Sequence, residues 1–382
     1  MPLEVDEKDA GTAGKSEGET ERRRREGLRL NFLLLTASVF ITLTASEVVA
    51  RLVLPSPLPW LFPQVRYRPD PELIFALAPN QDAFTADVPV QINSRGLRGR
   101  GIDYARPPGY HRLLFLGDSI VFGYGVSERE ILSFRVEAML REHGIKVEAI
   151  NTGVPSYNTE QEVAFMAREG VRYRPDWVIL GFCWNDINDK TGAQVSPDGW
   201  LVSEAAADHA DRSTPLATPQ SYAFRNLMKR SRLVYAALQG CRVLKSLVSP
   251  DDHAVFRGDV LAGHDTERVR RGWGLVEKAI HRLRLLGEEE GFRTLIVGFP
   301  VSLSLEKSFP QSSYPAHLRE ITSREHIPFL DLGPSFQEAF RGHESLFIPY
   351  DSDHPNATGH DLAARKIADL LLSHGIRAQV DP

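Results

Sequence analysis

The sequence predicts an α/β fold built on a five-stranded parallel sheet, and two observations carry that expectation. From residue 111 onward, short apolar runs alternate with helical patterns. Such alternation makes parallel strands joined by right-handed crossovers, with helices on both faces of the sheet. Chemistry-bearing residues also recur directly after the apolar runs, where an open parallel sheet opens its ligand crevice. A small β-rich lead-in and an apolar N-terminal helix precede this domain.

Taken in order, residues 1–27 are polar and charged, with almost no large apolar side chain. Such a segment buries too little apolar area to offset its ordering entropy, so it reads as a disordered leader. Residues 28–54 read as a transmembrane anchor. The stretch from Leu30 to Ser46 is uncharged, and the apolar character resumes past Glu47 and Arg51. About 20 apolar residues cross a bilayer. Glu47 and Arg51 are four apart, share a helix face and can pair near the far interface. The basic run Arg22 to Arg25, with Arg29, predicts a cytoplasmic N-terminus and an extracytoplasmic remainder, periplasmic or at the cell surface. A cleaved signal peptide ending near Thr44-Ala45-Ser46 and a buried core helix are the competing readings.

Residues 55–110 are rich in proline. Val88 to Ile92 alternates like a strand, so this segment reads as the β-rich lead-in. The main domain spans 111–378. Strands are expected at Arg112–Gly117, Lys146–Asn151, Trp177–Phe182, Arg293–Phe299 and Pro328–Leu332. Helices are expected at about 131–143, 160–169, 267–290, 314–325 and 357–374, the first closed by Gly144. The alternation stops over an insertion at 190–266, a polar loop followed by an amphipathic helical stretch from about Tyr222 to Leu247. It covers the site as a lid or decorates an edge.

Four segments fall at strand ends or in the last loop. Gly117-Asp118-Ser119 follows the first strand. A serine there faces the crevice and needs a neighbouring base to act as nucleophile; the plainer alternative is a helix N-cap. Asn151-Thr152-Gly153 follows the second strand, where the Gly153 N–H can donate to an oxyanion, or the glycine merely turns the chain. Asn185-Asp186 follows the third; the Asn185 amide is an oxyanion donor or part of a loop turn. Asp351-Ser352-Asp353-His354 supplies a base that titrates near neutrality and an acid three residues earlier to orient it. Asp353 is the rival acid, and Asp351 is preferred for its spacing. Nucleophile, base, acid and oxyanion donors together are what acyl transfer requires. The lipase-type G-x-S-x-G is absent.

These segments resemble blocks I, II, III and V of the SGNH/GDSL hydrolases, with Ser119, Gly153, Asn185 and His354 at the block positions and Asp351 in D-x-x-H. Residues Arg68 to Glu72 and Ile92 to Gly96 resemble membrane-tethered bacterial members. The resemblance implies a flavodoxin-like three-layer sandwich and a serine esterase with Ser119, Asp351 and His354 as catalytic residues. It places Ser119, Gly153 and Asn185 around the oxyanion. Two departures stand out: Ile120 replaces the family leucine, and Cys183 occupies a position usually held by glycine.

The expected activity is hydrolysis of a small-molecule or polysaccharide ester, with no cofactor and no metal. An O-acyltransferase or deacetylase working on cell-envelope polysaccharide is the alternative, and a non-catalytic binder the third reading. The net charge of −5 over 382 residues and the lack of a basic face argue against nucleic acid. Cys183 and Cys241 form no C-x-x-C motif, and their pairing is open.

Overall fold

The computed structural model describes residues 8–54, 61–188, 193–203, 226, 230–248, 252–305, 314–349 and 351–377. The chain begins with a helix, α1 (Lys8–Val53). Its part from Arg22 to Val53 is long and apolar enough to span a membrane, and an apolar window of 18 residues within it is not covered by the rest of the protein. Glu47 and Arg51 pair at 2.7 Å, as their spacing implies. Within the segment read as a leader the helix begins at Lys8, and residues 1–7 lie outside the described residues. The helix reaches that far upstream because Ala, Glu, Lys and Arg are good helix formers and propagation from a formed helix is easy. Arg22 and Glu26 add a pair one turn apart at 3.0 Å.

The lead-in forms two antiparallel hairpins, β1 (Tyr67–Asp70) with β2 (Ile74–Leu77) and β3 (Gln81–Thr85) with β4 (Val88–Ile92). The main domain then runs β5 (His111–Leu116), α2 (Ser119–Phe122), α3 (Leu132–Glu142), β6 (Val147–Asn151), α4 (Thr159–Arg168) and β7 (Trp177–Phe182). The insertion contributes a hairpin, β8 (Ala193–Val195) with β9 (Leu201–Ser203), then α5 (Arg232–Val248) and α6 (Asp252–Ala262). Most of its polar loop, and residues 222–225 and 227–229 of the expected helical stretch, lie outside the described residues. The domain closes with α7 (Glu267–Glu290), β10 (Arg293–Gly298), α8 (Tyr314–Arg324), β11 (Phe329–Asp331), α9 (Gly333–Arg341) and α10 (Ala357–Ser373).

The central sheet has the order β11-β10-β7-β5-β6, all parallel. Every predicted strand is present. The chain steps from β5 to β6, then returns across β5 to β7, so the strand order reverses at β5. That reversal opens a crevice at the carboxyl ends of β5 and β7. Both sheet faces are covered, which is why the strands read as continuous apolar runs. Leu113, Phe115, Ile179 and Val297 pack with α3, α9 and α10 on one face. Leu114, Leu116, Val178, Leu180 and Ile296 pack with α4, α7 and α8 on the other. Each fully buried side chain of this size contributes roughly 1.5–3 kcal/mol. Helix α9 escaped the sequence reading, since Gly333-Pro334 signals a turn; the proline sits at the helix start, where its missing N–H costs nothing.

Two arginines fasten the lead-in to this core. Arg112, fully buried at the start of β5, donates to the carbonyls of Asp103 and Tyr104 (both 2.9 Å) and of Tyr173 (2.7 Å), and pairs with Glu148 at 2.8 Å. Arg98, 2% exposed, donates to the carbonyls of Phe122 (2.9 Å), Gly123 (2.6 Å) and Val126 (2.6 Å). It therefore satisfies carbonyls that the short α2 leaves open at its C-terminal end.

Candidate active site

β5 delivers Gly117, Asp118 and Ser119 to the crevice. Asp118, not Ser119, caps α2: its Oδ1 accepts the Ile120 N–H at 2.8 Å. The serine hydroxyl takes no part in the cap, and Asp118 Oδ2 is one acceptor within its reach, at 3.2 Å. The hydroxyl lies 2.8 Å from His354 Nε2. His354 Nδ1 in turn lies 2.7 Å from Asp351 Oδ2. Asp351 Oδ1 accepts the backbone N–H groups of Asp353 (2.9 Å) and His354 (3.0 Å), so the carboxylate is held by its own loop. Asp351, the acid preferred for its spacing, is the one that meets the imidazole, whereas Asp353 pairs with Arg257 of α6 at 2.7 Å.

The charges follow from burial and partners. Burial opposes a charge on His354, but the Asp351 hydrogen bond and charge, then Asp118 and Asp353, outweigh it and raise the imidazole above its usual range. Burial works to raise Asp351, yet its hydrogen bonds to His354 and the backbone bring it below the usual carboxylate value. Burial raises Asp353, only partly countered by Arg257. Tyr124 lies against the imidazole, ring centroids 4.6 Å apart and tilted by 40°.

Asn185 sits in the short turn after β7. Its Nδ2 donates to Asp118 Oδ2 at 2.7 Å, which leaves the second amide proton. Its Oδ1 accepts from the Cys183 thiol. Cys183 is buried and Cys241 exposed, and both are free thiols.

Gly153 does not serve as expected. Its N–H is engaged by Asn151 Oδ1 at 2.9 Å, and it does not line the crevice. A Cβ here would lie 2.3 Å from the Phe122 backbone nitrogen, so this glycine exists to let the end of β6 touch α2. Three residues on, Ser156 does line the crevice. It adopts φ +74°, an uncommon conformation for serine, and among the described residues no acceptor takes its N–H. Nothing in its residue type announces this.

The crevice has a volume of about 440 Å³. Its walls come from three separate parts of the chain. The main domain supplies Ile120, Tyr124, Pro155 and Trp184; the lead-in supplies Gln64, Val65, Tyr67 and Thr85; the β8–β9 hairpin supplies Trp200 and Leu201. The sequence reading named Ser119, Asp351 and His354, which meet here, but none of the lead-in wall.

The sequence model of the GDSL-like lipase/acylhydrolase family matches residues 115–362, about two thirds of the chain. The protein belongs to that family. Membership makes this GDSL-like protein a hydrolase of ester bonds. Solved structures similar to this hydrolase include the acetyl xylan esterase AlAXEase (14% identity, 68% of this chain and 99% of that one, TM-score 0.41). A lipase/acylhydrolase from Enterococcus faecalis is 16% identical over 71% of this chain and 100% of that one, TM-score 0.41. A two-domain esterase active on acetylated mannans is 15% identical over 72% of this chain and 51% of that one, TM-score 0.39. A search of curated proteins finds no match to this GDSL-like hydrolase.

Proposed function

We propose that this hydrolase is a membrane-tethered serine esterase working through an acyl-enzyme on Ser119. The observation that carries the reading is the unbroken relay from Ser119 Oγ to His354 Nε2 (2.8 Å) and from His354 Nδ1 to Asp351 (2.7 Å). His354 accepts the Ser119 proton as the oxygen bonds to the ester carbonyl carbon. Asp351 stabilises the imidazolium that results. The oxyanion takes hydrogen bonds from the Ser119 N–H at the start of α2, the remaining Asn185 amide proton and the Ser156 N–H, in the place first assigned to Gly153. Collapse breaks the bond to the alcohol oxygen, which receives the proton from His354. Water then repeats the sequence, with His354 as base, and frees the acid.

The functional unit comprises residues 55–378, with the insertion at 190–266, because the lead-in and the β8–β9 hairpin both wall the crevice. α1 is the anchor, its N-terminus in the cytoplasm on account of Arg22 to Arg25, and the catalytic domain lies outside. Replacing Ser119 with Ala tests the chemistry: ester turnover and covalent labelling by a fluorophosphonate should both vanish. Labelling that persists in Ser119→Ala places the nucleophile elsewhere.

A second reading is supported by Tyr67, Trp200 and the Asp353 carboxylate all lining the crevice. Aromatic side chains and a hydroxyl acceptor in one crevice suit a sugar, so an envelope polysaccharide is a candidate alcohol, as ester substrate or as acyl acceptor. Adding a sugar acceptor to the assay separates the two: a hydrolase yields only free acid, a transferase an acylated sugar.

A further inference from the structure

Helix α5 lies outside the catalytic machinery, yet its first turn is fixed to the outer end of α1. Glu47 of α1 accepts the Arg232 N–H through Oε1 at 3.1 Å. Its Oε2 accepts the Ser231 hydroxyl at 2.7 Å and the Leu233 N–H at 3.0 Å. One carboxylate thus serves the open N–H groups with which every helix begins. Arg232 answers from the other side, its guanidinium donating to the carbonyls of Arg51 and, at 2.7 Å, of Leu54. Just upstream, the Asn226 side chain exchanges two hydrogen bonds with the Phe62 backbone, at 2.8 and 3.0 Å. The start of α5 is therefore held at the level where α1 ends and the lead-in begins.

Beyond that turn the described side chains turn to solvent. Ser231 to Tyr235 are half-buried, whereas Ala236, Ala237, Leu238, Cys241 and Leu244 are exposed. Leu238 is 51% and Leu244 65% exposed, among the most exposed large apolar side chains described outside α1. Ala237, Leu238, Cys241 and Leu244 are spaced three and four apart and fall on one arc of the helix. An apolar stripe of this kind facing water is unfavourable by roughly 25 cal/mol for each Å² left uncovered. The hydrogen bonds described between the two helices all come from the first turn of α5.

We propose that α5 lies in the plane of the outer membrane surface, its stripe of Ala237, Leu238, Cys241 and Leu244 resting in the boundary between headgroups and acyl chains. The inference rests on α1 being a membrane anchor. Given that anchor, Glu47 and Arg51 mark the interface, and a helix starting there has its apolar face at the depth where amphipathic helices bind. Tyr235, at the junction of packed and exposed turns, sits where amphipathic aromatic rings settle. The insertion then adds a second, in-plane attachment that orients the catalytic domain above the bilayer.

Cys241 makes the test direct, because it is exposed while Cys183 is buried. A fluorophore on Cys241 of the full-length chain is read in phosphatidylethanolamine/phosphatidylglycerol vesicles with brominated lipids. Bromine near the headgroups should quench it more strongly than bromine at the chain ends. A label at Ile41→Cys in a Cys241→Ser background should show the reverse order, and one at Glu289→Cys should show neither. The double substitution Leu238→Asp/Leu244→Asp should abolish quenching at Cys241 and leave Ile41→Cys unchanged. If Ile41→Cys is quenched and Cys241 is not, α5 lies in water or against a second copy, and the inference falls while the anchor stands. If neither is quenched, the anchor reading itself fails and takes this one with it.

Discussion

The two halves of the proposed Ser119–His354–Asp351 relay are supported in different ways. The nucleophile corner is part of the core: Ser119 continues directly from β5, Asp118 caps its helix, and Arg98 holds the other end of that helix from beneath. The base corner is a loop. Asp351 and His354 hold each other and their own backbone, and outside braces come from the insertion, through Arg257 on Asp353 and on the Ser352 hydroxyl at 2.6 Å, and from the Ser302 N–H, which donates to the Ser352 carbonyl at 2.8 Å. Precision on the first side comes from burial, where geometry is fixed by packing. On the second side it comes from a small hydrogen-bonded circuit whose charges can be tuned from a distance.

Substitutions at the two corners should therefore fail differently. The largest effect belongs to the base itself. His354→Gln should lower kcat by about 10⁴-fold or more, with thermal stability close to that of the parent, measured on a p-nitrophenyl ester. Asn185→Ala should cost about 10²- to 10³-fold in kcat; an equal change in KM with kcat intact would remove it from the oxyanion site. At the nucleophile corner, Arg98→Met should both destabilise the fold by roughly 3–5 kcal/mol, since buried carbonyls lose a charged donor, and lower kcat. Urea unfolding alongside kinetics checks it, and a variant with normal stability would show that the corner does not depend on this side chain.

The smallest effect is a matter of charge. His354 must be neutral to accept a proton, and its pKa is raised, so kcat/KM should fall towards acid through a value above the ordinary imidazole range. Besides Asp351, Asp118 and Asp353, the neutral neighbours Ser119 and Tyr124 face this ring. Arg257→Met leaves Asp353 uncompensated, favours the imidazolium and should move that acid limb to higher pH. Asp353→Asn removes the same negative charge and should move it lower. Shifts in one direction for both would mean that Arg257 acts through packing, not charge.

How much of this was legible before the structure depends on what each residue's role requires. The strands could be read because full burial demands continuous apolar runs, as in Leu113 to Leu116. The meeting of Ser119 with His354 could be anticipated because both are tied to strand end and loop by local sequence. Gly153 misled because a glycine reports a need for space or for a turn, and here the need was contact with the Phe122 backbone rather than an open N–H. Ser156 carries no local mark, since its left-handed backbone is imposed by its surroundings. The lead-in wall at Gln64, Val65 and Tyr67 was hidden for a different reason: it meets the crevice only through long-range packing, and no periodicity records that.

That wall has a consequence for how such proteins diversify. The stretch that defines family membership begins at residue 115, whereas part of the surface any ester must fit is written before it, at residues 64–85. Drift in those upstream positions can retune diet without disturbing the reaction, so two descendants sharing every reacting group need not share a meal.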